Sequence, residues 1–375
     1  MPTTSPLRKL SDHAAAAPSS TRDLREDQTQ FLSLHPYGEH PGSAAAAVVR
    51  SAASVPLLGT HLAATIDWAV AVASAAPLPG SGRTRETWEV LASSAAVDVA
   101  AARVLEPHLD ALSILAQAAA SGCAADLAVV GADRDSSWGV FAAEGTRLDA
   151  RETSSGWRLR GTKSWCSLAG QLSHALVTAW TGPDTRRLFA VSLRGSGVHA
   201  RRGPWASRGL AQIVSAAVDF EDVAAVPVGD NGWYLTRPGF AWGGMGVAAV
   251  WWGAAAPLVR AVVDRAGAEG ADQLSRTFAG GVDAAFWSVR SVLVEAADAV
   301  DAGVADRDLA ITAERVRAIA AAQVETVLAV ADRALGPSPL TADEAHARRV
   351  ADLRIYLRQH HGERDLARLG RLLAT

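Results

Sequence analysis

Two changes of hydrophobic periodicity divide the chain and limit the folds it can adopt. Residues 1 to about 125 are rich in alanine and have helical periodicity, which returns from about residue 238 to the end. Between them, short apolar runs of β-strand character are separated by turn signals. Because helices and strands are segregated along the chain, we expect separate α and β layers rather than alternating βαβ units. The predicted domains are residues 1–125, 126–236 and 237–375.

The individual elements are predicted from apolar runs. The predicted strands are LAVVGA (127–132), WGVFAAEG (138–145), GWRLRGTKSWCS (156–167), HALVTAW (174–180), RLFAVSL (187–193) and SAAVDFEDVAAVPV (215–228). The long helical runs that follow are at residues 283–303, 310–336 and 342–373. The Gly-Pro-Ser-Pro sequence at 336–339 is expected to connect the last two of these runs.

By its number of residues, an uncharged run between Arg237 and Arg260 is long enough to cross a bilayer as a helix. It is rich in glycine and alanine, and its tryptophans lie in the middle rather than at the two ends, where an interfacial belt belongs. We therefore expect a buried helix and no membrane span. The glycines are expected to allow close helix packing.

Charge, cysteine content and motifs exclude several classes of protein. The formal net charge of −3 is nearly neutral for 375 residues, and the sequence has no long basic stripe of the kind that binds nucleic acid. The two cysteines, Cys123 and Cys166, fit a reducing compartment, and residues 1–20 lack the apolar core of a signal peptide, so the predicted location is cytoplasmic. The sequence has no Rossmann fingerprint, P-loop, CxxC, HExxH or GxSxG motif, and no metal site is expected.

The stretch GTKSWCSLAG, residues 161–170, places an indole and a hydroxyl two residues apart. In an extended strand such residues share a face, so Trp165 and Ser167 are expected to project together, with Cys166 on the opposite side. An indole beside a hydroxyl suits a flat heteroaromatic ligand, which packs on the ring and hydrogen-bonds at its edge. The alternative is a half-buried strand with Trp165 in the core and Ser167 at the strand end.

Several segments resemble the acyl-CoA dehydrogenase family. Residues 156–170 are similar to its β-domain motif, G-x-K-x-W-(I/C)-(T/S), whose strand lies along the flavin, and residues 215–229 resemble the strand that leaves this domain. Residues 274–286 resemble the start of the second long helix of the C-terminal bundle, and residues 351–365 resemble the final helices. The resemblance, over most of residues 80–375, implies an α+β fold that is mostly α. It comprises an N-terminal helical domain, a central β-barrel-like domain and a C-terminal four-helix bundle.

The resemblance also implies a FAD cofactor, with FMN as the alternative, and assigns roles to residues. Trp165 would pack against the isoalloxazine, and Ser167 would donate its hydroxyl to flavin N5. Ala132 and Asp133 would present backbone groups to the flavin, because VVGADRDSSWG stands where the family has its Thr-Glu-Pro…Gly-Ser-Asp loop. Arg276 would reach the pyrophosphate of a flavin bound by a neighbouring subunit of a homodimer or homotetramer. A solvated arginine at a helix end is the alternative.

The family's catalytic Glu is missing. The resemblance places His360 at its position, and residues 242–244, the second position used in the family, contain no carboxylate. A neutral imidazole has an unperturbed pKa of about 6.5, which suits a base at neutral pH. The alternative for His360 is a polar residue near a helix end.

Three functions remain open from the sequence. The first is a flavin-dependent oxidoreductase that acts on a CH–CH bond of an acyl thioester or related small molecule, transfers hydride to flavin N5 and passes electrons to an electron-transfer protein. The second is a two-component monooxygenase on the same fold, supplied with reduced flavin by a partner reductase. The third is a non-catalytic relative that keeps the scaffold. Acyl-CoA is the first candidate substrate.

Overall fold

The structure, a computed structural model, describes residues 31–35 and 43–374. Predictions for residues 1–30 and 36–42 therefore lie outside the described part of the chain. The first helices are α1 (Ala44–Ala52), α2 (Leu62–Ala75), α3 (Thr84–Val97) and α4 (Val99–Ala120).

The helical segment at residues 84–120 is divided into α3 and α4 because the chain turns at Asp98. Its backbone is extended, with φ −152° and ψ 127°. The Asp98 carboxylate accepts a hydrogen bond from the backbone N–H of Ala101 at 2.8 Å, so it caps the start of α4. This turn sets the direction in which α4 runs toward the strands.

The central region is a small closed barrel. Its strands are β1 (Trp138–Phe141), β2 (Leu148–Thr153), β3 (Gly156–Ser167), β4 (His174–Trp180), β5 (Arg186–Ser192), β6 (Val198–Ala200) and β7 (Ser215–Val228). The pairing order β4-β2-β3-β7-β5 returns to β4, while β1 extends from β4 and β6 from β7. The predicted β-barrel-like region is confirmed.

The middle residues of β4 (175–178) and β5 (188–191) are buried on both faces of the sheet. Val177 and Phe189 belong to the main core. Leu176 and Leu188 belong to a second cluster, where they meet Ile114 of α4. Alternate residues on a strand point to opposite faces, so the same two strands fill the barrel and hold α4 against it.

One predicted strand is wrong, and two strands are additional. The run LAVVGA forms a 3₁₀ turn, Leu127–Val130, which ends at Gly131 with φ +68°. Val129 is 61% exposed, so the run is not a buried strand. Periodicity alone does not separate a short apolar strand from a short helical turn. The additional strands are β2 and β6, and β2 has alternating burial along LDARET.

The C-terminal helices form a bundle whose fourth member is broken. They are α5 (Trp233–Thr236), α6 (Gly239–Gly267), α7 (Gln273–Asp301), α8 (Asp306–Leu335), α9 (Ser338–Ala342), α10 (Glu344–Tyr356) and α11 (Glu363–Ala374). Helices α6, α7 and α8 pack on one another, while α10 packs on α6 and α11 on α8. The predicted four-helix bundle is confirmed, with α10 and α11 together in the fourth position.

Helix α6 is the one helix of the described chain that is long and apolar enough to cross a membrane, and 72% of its apolar window is buried inside the fold. Trp251 and Trp252 are buried in the core. A Cβ atom at Gly253 would lie 2.0 Å from the carbonyl oxygen of Ala92 on α3. The missing side chain thus lets α6 and α3 come into backbone contact, as expected for a core helix.

Candidate functional site

The end of β3 departs from a regular strand at the residues singled out by the sequence. A bulge between Lys163 and Cys166 shifts the pairing with β7. Trp165 has φ +61°, a left-handed conformation that is strained for a bulky residue. Trp165 is 63% exposed, whereas Cys166 is 1% exposed. The alternative with Trp165 in the core is therefore wrong, because the bulge turns the indole out of the barrel.

Trp165 and Ser167 line one cleft of about 970 Å³ between the barrel and helices α4, α10 and α11. This volume is within the range of small-molecule and cofactor pockets. Its other side chains from the end of the barrel are Trp205, Leu210, Ile213 and Ser215. The indole and the hydroxyl thus share a cavity, as predicted, but the bulge rather than regular alternation turns the indole outward.

The Ser167 hydroxyl is held by two polar neighbours. Ser167 Oγ lies 2.6 Å from Ser215 Oγ, and Arg103 Nη2 donates to Ser167 Oγ at 3.3 Å. Ser167 and Ser215 are paired positions of β3 and β7, so the strand register fixes their separation. When Ser215 is the donor of this pair, the Ser167 proton remains for a ligand in the cleft.

A buried carboxyl group lies behind the cleft wall, at Glu106 on α4. Glu106 Oε2 lies 3.6 Å from Arg103 Nη1 and accepts a hydrogen bond from Tyr356 Oη at 3.2 Å. Burial raises the pKa of Glu106 from 4.5 to about 7, against the opposing effect of the Arg103 charge. The protein therefore keeps a group that titrates near neutral pH next to two residues of the cleft.

The α10–α11 side of the cleft is cationic. The basic side chains that line it there are Arg358, His361, Arg364 and Arg368. Glu144 is the one carboxylate among the described lining residues. It lies at the rim with 73% of its side chain exposed, and it pairs with Arg186. Arg358 pairs with Glu325 and Arg368 with Glu314, both outside the lining, so Arg364 is the side chain best placed to bind a phosphate or carboxylate group of a ligand.

His360, the predicted base, does not line this cleft. Helix α10 ends at Tyr356, and His360 is in extended backbone, with φ −84° and ψ 120°. Its ring lies edge-on to Trp251, with the centroids 6.4 Å apart, and its Nε2 is 3.9 Å from Asp365 Oδ2. Burial lowers the pKa of His360 below its ordinary value, so the imidazole is neutral at neutral pH. The neighbouring residue, His361, lines the cleft instead.

The three other predicted cofactor residues also lie outside the lining of this cleft. Ala132 and Asp133 follow the 3₁₀ turn, and Asp133 Oδ1 closes a local turn by accepting hydrogen bonds from Ser136 Oγ at 2.9 Å and Asp135 N at 3.0 Å. Arg276 is exposed near the start of α7. Its predicted role needs a neighbouring subunit, so that role stays a prediction.

A second carboxylate of α4, Asp110, lies against the glycine-rich start of α6. A Cβ atom at Gly243 would be 3.0 Å from Asp110 Oδ1, and Arg237 Nη2 pairs with the same carboxylate at 3.5 Å. A carboxylate of α4 therefore lies next to residues 242–244, although these residues contain none themselves. Sequence reasoning missed Glu106 and Asp110; the one signal that could have pointed to them is their spacing of four residues, which places both carboxylates on one face of a mostly apolar helix. In the described part of the chain, no group of three His, Cys, Asp or Glu side chains could hold a metal ion.

The order of helices, small barrel and helical bundle defines the fold of butyryl-CoA dehydrogenase and its structural relatives. No protein-family model matches the sequence, and no curated protein matches it. KijD3, solved with FMN and dTDP-3-amino-2,3,6-trideoxy-4-keto-3-methyl-D-glucose, is similar with a TM-score of 0.72 and 16% identity over 92% of this chain and 96% of KijD3. TdsC from Paenibacillus sp. A11-2, solved with FMN and indole, has a TM-score of 0.68 and 15% identity over 86% of this chain and 94% of TdsC.

Butyryl-CoA dehydrogenase from Megasphaera elsdenii has a TM-score of 0.64 and 16% identity, over 78% of this chain and 82% of that enzyme. Identities this low show a shared fold and nothing about the reaction, which depends on the residues of the site. The predicted acyl-CoA dehydrogenase-like fold is therefore confirmed.

Proposed function

We propose that the protein is a flavin-dependent oxidoreductase whose flavin lies in the cleft at Trp165 and Ser167. The observation that carries this proposal is the Trp165 indole, which a strained backbone holds out at a cavity beside a pair of hydroxyls. Strain at an exposed aromatic residue indicates a functional constraint. KijD3 and TdsC, which share the fold, are solved with FMN.

The residues of the cleft fit the parts of a flavin. Trp165 would pack against the ring, and the hydroxyls of Ser167 and Ser215 would hydrogen-bond its polar edge. Arg364 would hold the phosphate, because Arg358 is already paired with Glu325. A bound flavin supplies a hydride acceptor when oxidised and an oxygen-reactive group when reduced. Both FAD and FMN carry these parts.

Of the two reactions, dehydrogenation of an acyl thioester and oxygen transfer, the lining of the cleft favours oxygen transfer by a two-component monooxygenase. Dehydrogenation of an acyl thioester needs a base at the substrate α-carbon. Glu144 is exposed at the rim, and His360 is turned toward Trp251, which leaves His361 as the imidazole of the cleft. TdsC, a dibenzothiophene monooxygenase, shares the fold. We propose that a partner reductase supplies the reduced flavin.

Dehydrogenation is the second candidate because of one observation. Burial raises the pKa of Glu106 to about 7, which is the range that suits a general base at neutral pH. Its carboxyl group accepts a hydrogen bond from Tyr356, a residue that lines the cleft. An acyl-CoA would then be the substrate, and an electron-transfer protein would reoxidise the flavin.

The two candidates differ in what happens to the visible spectrum. We expect the purified protein to take up FMN or FAD, to leave it oxidised when butyryl-CoA is added without oxygen, and to change the rate at which oxygen reoxidises reduced flavin. Bleaching of the bound flavin by butyryl-CoA would establish the dehydrogenase instead. A protein that takes up neither flavin would leave only the scaffold function.

Arg276 gives a second test, of the predicted contact between subunits. Arg276→Gln is expected to weaken FAD binding by about 10-fold, because a charge-assisted hydrogen bond contributes about 1.5–3 kcal/mol. FMN, which lacks the pyrophosphate, should bind unchanged. The matched control is Arg265→Gln, at an exposed position of α6. Equal losses of FMN and FAD affinity, measured by fluorescence titration, would contradict the assignment.

A further inference from the structure

A line of polar contacts connects the cleft to the buried carboxyl group of Glu106. Arg103 Nη2 donates to Ser167 Oγ at 3.3 Å, and Ser167 Oγ lies 2.6 Å from Ser215 Oγ. The other terminal nitrogen of Arg103 lies 3.6 Å from Glu106 Oε2. Tyr356 Oη donates to that same carboxyl oxygen at 3.2 Å. Arg103 is thus shared between a neutral hydroxyl in the cleft and an ionisable group behind it.

The charged and titratable groups that face Glu106 come from three helices. They are Arg103 and Asp110 of α4, Arg317 of α8 and Tyr356 of α10. Arg317 is held by the backbone carbonyls of Gly244 at 3.0 Å and Gln359 at 2.9 Å. Asp110 pairs with Arg237 at 3.5 Å. Arg103 is the cation that pairs with Glu106.

Burial makes the charge of Glu106 depend on pH in the neutral range. Its side chain is 12% exposed and that of Arg103 is 15% exposed. Burial raises the pKa of Glu106 to about 7, Asp110 adds to the rise, and Arg103 opposes it. The carboxyl group therefore takes up one proton from solvent as the pH falls through about 7.

We propose that Glu106 is a positioning residue that sets the effective charge of Arg103 beside Ser167. An ionised Glu106 balances Arg103, whereas a protonated Glu106 leaves it as an unbalanced cation at the cleft. This rests on the proposed function, because the ligand that responds is the flavin ring, which carries negative charge when it is reduced at neutral pH. A fixed cation near that charge stabilises it. Reduced flavin is therefore bound more tightly when Glu106 is protonated.

The test is the affinity for reduced FMN, measured without oxygen from about pH 6 to about pH 8. Both proteins bind the same ligand, so its own titration cancels in the ratio of the wild-type affinity to the Glu106→Gln affinity. The amide of the variant cannot ionise, so any pH dependence of this ratio comes from Glu106. We expect this ratio to be near one at the acidic end and to fall by about 10-fold at the alkaline end. Glu295→Gln, which changes an exposed carboxylate of α7 outside the cleft, should keep the wild-type pH dependence.

A second variant tests the charges that surround Glu106. Asp110→Asn removes a neighbouring negative charge that raises the pKa of Glu106. The midpoint of the pH dependence should therefore move to lower pH. A protein that binds reduced FMN with a ratio that does not change with pH would overturn the inference and leave the proposed function standing.

Infrared difference spectra of the protein without flavin give an independent reading. The carboxylic acid band of Glu106 should be present below a pH of about 7, should vanish above it, and should be missing in Glu106→Gln. A wild-type protein without this band overturns the inference even when it binds flavin. A titrating band in a protein that takes up no flavin would instead overturn the proposed function and, with it, the coupling to the ring.

Discussion

Trp165→Ala is expected to weaken flavin binding by about 10-fold to 100-fold. Stacking of a heteroaromatic base on an aromatic side chain contributes roughly 1–3 kcal/mol, and each 1.4 kcal/mol is a factor of about ten in affinity. The indole is 63% exposed in the protein alone, so its loss removes few internal contacts. The measurement is the quenching of FMN fluorescence during titration with the protein.

Two controls separate loss of the ring contact from loss of the fold. Trp165→Gly removes the indole and also relieves the strain of φ +61°, because glycine adopts this conformation freely. The glycine variant should lose as much flavin affinity as the alanine variant. Its unfolding temperature should be equal to that of the wild type or higher. Trp287→Ala changes a tryptophan of α7 that is 62% exposed and lies outside the cleft, and it should bind flavin normally. Unchanged affinity in both Trp165 variants would remove this residue from the site.

Gly253→Ala is expected to have the largest effect on stability. A Cβ atom at this position would lie 2.0 Å from the Ala92 carbonyl oxygen and 2.5 Å from its carbonyl carbon, and a backbone cannot move aside as a flexible side chain can. The free energy of unfolding should fall by about 3 kcal/mol or more, which is the upper range for overpacking in a core. The transition temperature followed by circular dichroism should drop by about 5 °C or more.

The matched control is Gly280→Ala, within α7. A Cβ atom there meets nothing within 4 Å. Alanine is the better helix former by about 1 kcal/mol, so this variant should be as stable as the wild type or more stable. A similar loss of stability in both variants would show that the close approach of α3 and α6 is not the cause.

The strands and long helices could be predicted because their patterns are local, whereas the barrel and the bundle were implied by the resemblance to the acyl-CoA dehydrogenase family. Strand β3 and strand β7 coincide with the predicted runs at residues 156–167 and 215–228, since each is a long strand-like segment next to turn residues. The run at residues 127–132 failed because Val130 is the buried residue of a turn that is otherwise exposed or half-exposed. An apolar composition does not specify burial.

The site could be predicted only in part. The alternation along β3 predicts that Trp165 and Ser167 share a face, and both residues line the cleft. It does not reveal the bulge or the left-handed backbone that exposes the indole. The prediction for His360 came from the resemblance, which places it at the position of the family's catalytic Glu in the final helices. The chain instead leaves the helix after Tyr356, and Gly362 has φ +56°.

Glu106 was missed because its environment is built from distant parts of the chain. Its hydrogen-bond donor, Tyr356, lies 250 residues away in sequence. A carboxylate in the middle of an apolar helix has no motif, and its shifted pKa follows from burial that only the packed helices create. Residues of this kind are found from the tertiary structure.

A crystal structure of the protein soaked with FMN tests the central claim most directly. The account predicts that the ring lies in the cleft against the Trp165 indole, with Ser167 Oγ within hydrogen-bond distance of the polar edge. Flavin bound at another place, or a cleft that stays empty at saturating FMN, would contradict the assignment of this cavity as a cofactor site.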